Sequence, residues 1–220
     1  MNIEYEIIHS RRKTISIIVD EKGRVKVRAS LRASKKQIAA FVEKNREWII
    51  SHVSKRQAIA LRHPEIKGED GELIPYLGEY VRLKITSAKK TSFDGKTLFI
   101  SSEADPIEQI TKWYKKQAKT ILADITAKVA ERCGFEYSCV KISSSQKRYG
   151  SCSGKNNINY SFRLVMFPPD CITYVVIHEL CHTVHKNHSA DFWALVKQLC
   201  PEYKELQKKM STESSLMSAV

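Results

Sequence analysis

The 220 residues predict an α+β fold, with an antiparallel β-sheet near the N-terminus and a helical, histidine-rich C-terminal part. Three observations carry that expectation. Residues 3–8, 13–19 and 24–29 are short β-branched stretches that alternate or run apolar. From Asp105 onward, apolar residues recur at helical spacing over a long run. Between Val175 and Trp193 the sequence VVIHELCHTVHKNHSADFW holds four of the seven histidines within eleven residues.

Taken in order, the first three stretches form a small sheet. Asp20-Glu21-Lys22-Gly23 separates the second from the third and supplies a turn glycine, so those two pair as a hairpin. Arg24-Val25-Lys26-Val27-Arg28 alternates most cleanly, turning valines inward and basic side chains to water. Ser34 and Gln37 make a capping box, and the helix they open buries Ile38, Phe41, Val42, Trp48 and Ile49 on its way to about residue 60. Residues 63–75, HPEIKGEDGELIP, read as a connecting loop. Tyr80–Thr86 and Thr97–Ser101 follow as strands, with Asp94-Gly95 as the turn of a second hairpin.

Asp105-Pro106 opens the longest helical pattern, which turns Ile107, Ile110, Tyr114, Ile121, Leu122, Ile125 and Val129 inward and stops at Gly134. This helix is expected to back the histidine-bearing one. Asn157–Leu164 alternates polar and apolar residues and reads as a strand just before that helix, at a sheet edge suited to pairing with an extended peptide. The preceding loop Gln146–Ser153 is placed to brace the site or line its rim. No internal repeat stands out, and the final STESSLMSAV reads as a loose tail.

His178, Glu179 and His182 spell H-E-x-x-H. On a helix, residues four apart project from one face about one turn apart, so the two imidazoles can share a metal. Glu179, beside the first ligand, points aside and is suited to take a proton from water rather than to bind the ion. A catalytic site keeps one position open and needs a third protein ligand, and His188 is the choice. Lys186-Asn187 is a plausible helix end, since Asn tolerates the left-handed conformation, and a turn there returns His188 to the ion. Ser189 and Asp191 then cap a helix carrying Phe192, Leu195, Val196 and Leu199.

The bland alternative is a solvated helix with stray histidines. Against it, the apolar run Tyr174-Val175-Val176-Ile177 would bury the first turns, and buried histidines need partners. The ligand spacing also matches the metzincins, but His185 replaces the glycine of their turn. His185 is read as exposed and Cys181 as packing.

Length and apolar content suit one compact domain with an extension, or two small ones. No segment approaches the roughly 20 apolar residues that span a bilayer, and no apolar leader opens the sequence, so a cytoplasmic protein without membrane insertion is expected. Six cysteines without C-x-x-C pairing read as reduced thiols. The net charge is +13, and residues 1–62 hold fifteen Lys/Arg against six Asp/Glu. Such a face fits nucleic acid, nucleotides or acidic peptides, but without interleaved aromatics or a nucleic-acid module a solvated surface is the favoured reading.

The motifs R-Y-G-S-C-S, the alternating strand ending in R-L, P-x-x-x-x-x-Y-V-V-I-H-E-L-C-H, N-H-S-x-x-F-W and P-E-Y together strongly resemble the YgjP-like metallopeptidase family. WLM and SprT-like zinc proteases are similar more distantly. The likeness extends to R-R-K-T-I-S-I-I-V and Trp48-Ile49. One departure is Tyr149, where the family more usually has Trp. The resemblance implies a compact zincin-like fold with His178, His182 and His188 as zinc ligands and Glu179 as the catalytic residue. On this reading 1–75 is a hairpin-and-helix subdomain, 76–210 the catalytic region and 211–220 a flexible tail, the three expected to form one compact unit. The expected chemistry is zinc-dependent hydrolysis of a peptide or polypeptide, with Glu179 as general base and Tyr160, Arg163 or Tyr203 as candidate oxyanion donor. The alternatives are a nucleotide pyrophosphohydrolase acting on nucleoside triphosphates, disfavoured by the lack of a Gly-rich phosphate loop, and a zinc-stabilised nucleic-acid-binding module.

Overall fold

The computed structural model describes residues 3–20 and 23–220. The chain divides into two compact units, Met1–Pro64 and Glu65–Val220. Residue 75, where the sequence places a boundary, lies within the strand Leu73–Tyr76 of the second unit.

In the first unit β1 (Tyr5–Ser10), β2 (Ser16–Val19) and β3 (Val25–Ser30) form a sheet in the order β1-β3-β2. β2 and β3 make the expected antiparallel hairpin, with Gly23 at a φ of 78°; Glu21 and Lys22 of the predicted turn lie outside the described residues. β1, however, pairs parallel to β3. The expected antiparallel sheet is therefore mixed, because the chain crosses from β1 to the far edge before the hairpin returns β3 to the middle.

The capping box of Ser34 and Gln37 opens α1 (Lys35–Lys44) as predicted. The helix then breaks at Asn45, whose amide donates to the Phe41 carbonyl at 2.7 Å, and α2 (Arg46–Arg62) follows. That break shifts the helical phase. Ile38, Val42 and Ile49 pack with Val25, Val27 and Ala29, but Trp48, expected in the core, is 44% exposed and stacks on His52.

The second unit begins with β4 (Leu73–Tyr76), β5 (Glu79–Thr86), β6 (Ser92–Phe93) and β7 (Thr97–Ser101), ordered β4-β5-β7-β6. β5 and β7 are parallel, so the second hairpin does not join them as expected. The Asp94-Gly95 turn closes β6 onto β7, and Leu77-Gly78, both at positive φ, closes β4 onto β5. Gly78 is required there, because a Cβ would come within 2.9 Å of Pro168. α3 (Pro106–Cys133) starts and stops as predicted, with Asp105 accepting from the Glu108 amide at 2.7 Å and Gly134 at a φ of 71°.

β8 (Cys139–Ser143), β9 (Gly150–Cys152) and β10 (Asn157–Ser161) form a third sheet, ordered β8-β10-β9. β10, expected at an edge, lies in the centre; the edge strand that packs against α4 is β9, in the segment expected only to be a loop. The predicted strand also stops early, turning at Phe162–Met166 into a wholly buried 3₁₀ segment. In each of these sheets one interior strand, β3, β7 or β10, is parallel to an earlier strand and antiparallel to its hairpin partner.

α4 (Pro169–Val184) packs on α3, as expected, and on β9. α5 (Ala190–Leu199) and α6 (Tyr203–Thr212) follow. The tail is not loose: Leu216, Met217 and Ala219 are buried, and the Arg163 Nε donates to the Val220 carbonyl at 2.7 Å. Apolar residues scattered through a short polar segment gave no periodic signal of that anchoring. Among the described residues no helix is long and apolar enough to cross a membrane.

Candidate metal centre

α4 enters the core through Ile172, Tyr174, Val175, Val176 and Ile177, all buried. Their burial fixes the helix so that His178 and His182 emerge on one face, with ring centroids 5.0 Å apart. The helix ends at Val184, and His185 caps it in an extended conformation. The helix thus ends two residues before Lys186-Asn187, but the chain bends at those two residues as expected, and the bend uses no left-handed residue, as Asn187 has no positive φ. It still brings His188 back. The Ser189 hydroxyl accepts from the Phe192 amide and caps α5, as predicted.

One donor nitrogen from each of His178, His182 and His188 lies within 4.8 Å of the others. The Nε2 atoms of His178 and His188 are 3.1 Å apart, close to the roughly 3.3 Å that two nitrogens bound tetrahedrally to zinc would have. His182 Nδ1 lies 2.9 Å from the His185 carbonyl, an arrangement that fixes the tautomer and presents Nε2 as a ligand. His185 thus supports the cluster through its backbone. Burial lowers the His178 pKa to about 3, with His182 and His188 adding to the effect, so the ring is a neutral donor at ordinary pH. Three convergent imidazoles fit a divalent metal of the zinc type.

Phe192, fully buried, forms the floor. Its ring stacks on His182 at 4.4 Å and meets His178 and His188 edge-on at 4.9 and 4.8 Å. Trp193 stacks on His188, and Tyr203 on Trp193. In the sequence Phe192 is a helix core position and a member of the N-H-S-x-x-F-W motif, and its place in the first turn after the Ser189 cap is the signal that it lies under the histidines.

Glu179 is 5% exposed, and desolvation raises its carboxyl to about 8. Its Oε2 has no hydrogen-bond partner among the described residues. Gly150 of β9 lies against it: a Cβ there would fall 2.7 Å from Glu179 Oε1 and 2.8 Å from its Cγ. Gly150 falls in the loop Gln146–Ser153 expected to brace the site or line its rim, but nothing in the sequence singles it out as the residue facing Glu179. Of the candidate oxyanion donors, Tyr160 is buried with its hydroxyl 3.2 Å from Thr126 Oγ1, and Arg163 is tied to the Val220 and Ser144 carbonyls. Both are committed elsewhere. Tyr149, the departure noted in the motif, donates to the Met210 carbonyl at 3.3 Å and meets Phe167 edge-on.

The YgjP-like metallopeptidase domain model matches residues 13–213, nearly the whole chain. The chain belongs to the YgjP-like metallopeptidase family. It is accordingly a metallopeptidase, for which a metal ion and peptide substrates are expected. Among solved structures, the crystal structure of the metallopeptidase zymogen of Pyrococcus abyssi abylysin is similar, at 23% identity and a TM-score of 0.39. That match covers 42% of this chain and 93% of the other. No curated protein matches the sequence.

Proposed function

We propose that this YgjP-like protein is a zinc peptidase in which His178, His182 and His188 hold the ion and Glu179 is the general base. The observation that carries this reading is the convergence of three imidazole nitrogens within 4.8 Å, beside a buried carboxylate whose Oε2 has no protein partner. A zinc ion bound there supplies Lewis-acid charge that polarises the scissile carbonyl and makes the attacking water more acidic.

The rest falls to the protein. Glu179 takes the proton of the attacking water and passes it to the leaving amine as the C–N bond breaks. Its raised pKa leaves it basic enough for the first transfer and acidic enough for the second once it carries the proton. Phe192 and Trp193 hold the imidazoles in place by ring contact. β9, with β10 on one side only, offers its outer edge to an extended peptide through backbone hydrogen bonds, a mode that does not depend on side-chain identity. This moves the peptide-pairing role expected of β10 one strand outward.

The test joins metal analysis to turnover. The purified protein should bind about one zinc ion per chain and hydrolyse unfolded polypeptide, and Glu179→Gln should keep the metal and lose hydrolysis. Hydrolysis of nucleoside triphosphates but not polypeptide, by the wild type and not by the Glu179 variant, would defeat the peptidase assignment while sparing the site.

A further inference from the structure

The third sheet has a second face that the proposed chemistry leaves unused. Alternation along β10 sends Ile158 and Tyr160 into the core and Asn157 and Asn159 to the other side. The register sets Asn159 opposite Lys141 of β8 and Ser151 of β9, so these three side chains share the outer face. With Ser143, Arg148 and Asn157 they line a groove of about 630 Å³. An adjoining hollow of about 200 Å³ reaches Gly150, which in turn abuts Glu179. The groove therefore lies across β9 from the candidate general base.

Its charge is of one sign. Lys141 and Arg148 are exposed, and neither has an ion-pair partner among the described residues. No carboxylate lines the groove. From Tyr137 to Pro169 the sequence holds five Lys/Arg and no Asp or Glu, and of those five only Arg163 is buried. The Asn159 amide and the Ser151 hydroxyl have no hydrogen-bond partner among the described residues and are available to a ligand.

We propose that this groove is a substrate subsite that takes acidic side chains of an extended peptide lying along β9. The inference deepens the proposed peptidase function and rests on it for the placement of the peptide. In a strand paired with β9, the residue opposite Ser151 turns its side chain to the Ser151 face, and its neighbours opposite Gly150 and Cys152 turn toward α4. Every second substrate residue thus meets the groove. There Arg148 can grip a carboxylate with two parallel N–H bonds, Lys141 adds a point charge, and Ser151 and Asn159 donate hydrogen bonds. Nucleic acid fits less well, because no aromatic ring lines the groove to stack a base, whereas a strand edge is made for a peptide backbone.

The test uses full-length, zinc-loaded protein and two fluorogenic peptides identical except for Glu or Gln at alternate positions. The wild type should show kcat/KM about tenfold higher for the Glu peptide, the combined effect of two partly exposed charge contacts. In the Lys141→Ala/Arg148→Ala double variant, checked for retained zinc and melting temperature, the ratio should fall to about one. Equal kcat/KM for both peptides in the wild type would overturn the subsite and leave peptide hydrolysis standing. If neither peptide is cleaved, the peptidase reading has failed separately, and anisotropy with labelled peptides decides the subsite: equal affinity for Glu and Gln peptides overturns it. A single-stranded oligonucleotide of matched charge that binds more tightly than the Glu peptide, and loses affinity in the double variant, would overturn the choice of an acidic polypeptide.

Discussion

Gly150→Ala puts the relation between β9 and Glu179 to a direct test. Gly150 has no positive φ, so alanine meets no backbone penalty there, and whatever it costs comes from contact. The added carbon would fall 2.7, 2.8 and 2.9 Å from Glu179 Oε1, Cγ and Cδ. Ordinary contacts of that kind are several tenths of an ångström longer, so the carboxylate or the strand must give by about half an ångström. Glu179 is nearly enclosed, and overpacking of this sort costs about 1–3 kcal/mol. Reduced freedom of the unfolded chain returns about 0.4–1 kcal/mol of that. Activity should suffer more than stability, because a misplacement of about 1 Å at a catalytic group costs about 10²-fold. The expected result is kcat/KM on a polypeptide substrate lowered about 10- to 100-fold, zinc content unchanged, and a urea midpoint only modestly reduced. Gly154→Ala is the control: nothing lies within 4 Å of a Cβ there, and neither quantity should move. Wild-type turnover by the Gly150 variant would refute the claim that a bare backbone at this position sets the carboxylate.

Other expectations follow from the same geometry. Glu179→Gln should cut kcat by at least about 10³-fold with zinc retained, read by steady-state hydrolysis beside metal analysis. In the metal-free protein the same substitution should change the pH dependence of stability. Burial raises the Glu179 carboxyl to about 8, so its contribution is complete below the unfolded value near 4.5 and is lost as pH rises toward 8. The melting temperature of the variant should therefore overtake the wild type progressively across that window, and a pH-independent gap would count against a buried, unpartnered carboxylate. His188→Ala should weaken zinc binding by more than about 100-fold in a chelator competition, while leaving α4 folded by circular dichroism. Arg163→Ala removes the buried guanidinium that binds the Ser144 and Val220 carbonyls and should lower stability by about 3 kcal/mol in urea denaturation. A change under 1 kcal/mol would mean that the C-terminal residues are not anchored through it.

The site was legible where chemistry is written into local spacing. H-E-x-x-H needs only a helix to bring two imidazoles together, and the Ser189 cap announced the next helix, so His188 could be placed between them. Glycine and proline signals likewise fixed both ends of α3. What the sequence hid was support from a distance. The His185 carbonyl that braces His182 and the Arg163 contact to the far end of the chain depend on partners that no periodicity names. Trp48 misled for a related reason: the apolar pattern continued through Asn45, but a single side-chain bond to the Phe41 carbonyl broke the helix and changed its phase.

Strand order was the largest gap, and it bears on the proposed chemistry. A turn signal such as Asp94-Gly95 reports which strands are neighbours in sequence, not where the resulting hairpin docks. In each sheet the hairpin returned its second strand to the middle, beside an earlier parallel strand. Alternation along β10 was read correctly as one buried and one polar face, but alternation is the same for a central strand and an edge strand. The edge went instead to the three residues of β9, too short to show a period and carrying a glycine that argues against a strand. That glycine is the informative residue. A sheet edge that must lie against a buried carboxylate has no room for a Cβ, so the feature that made β9 look like a loop is what lets a strand approach Glu179.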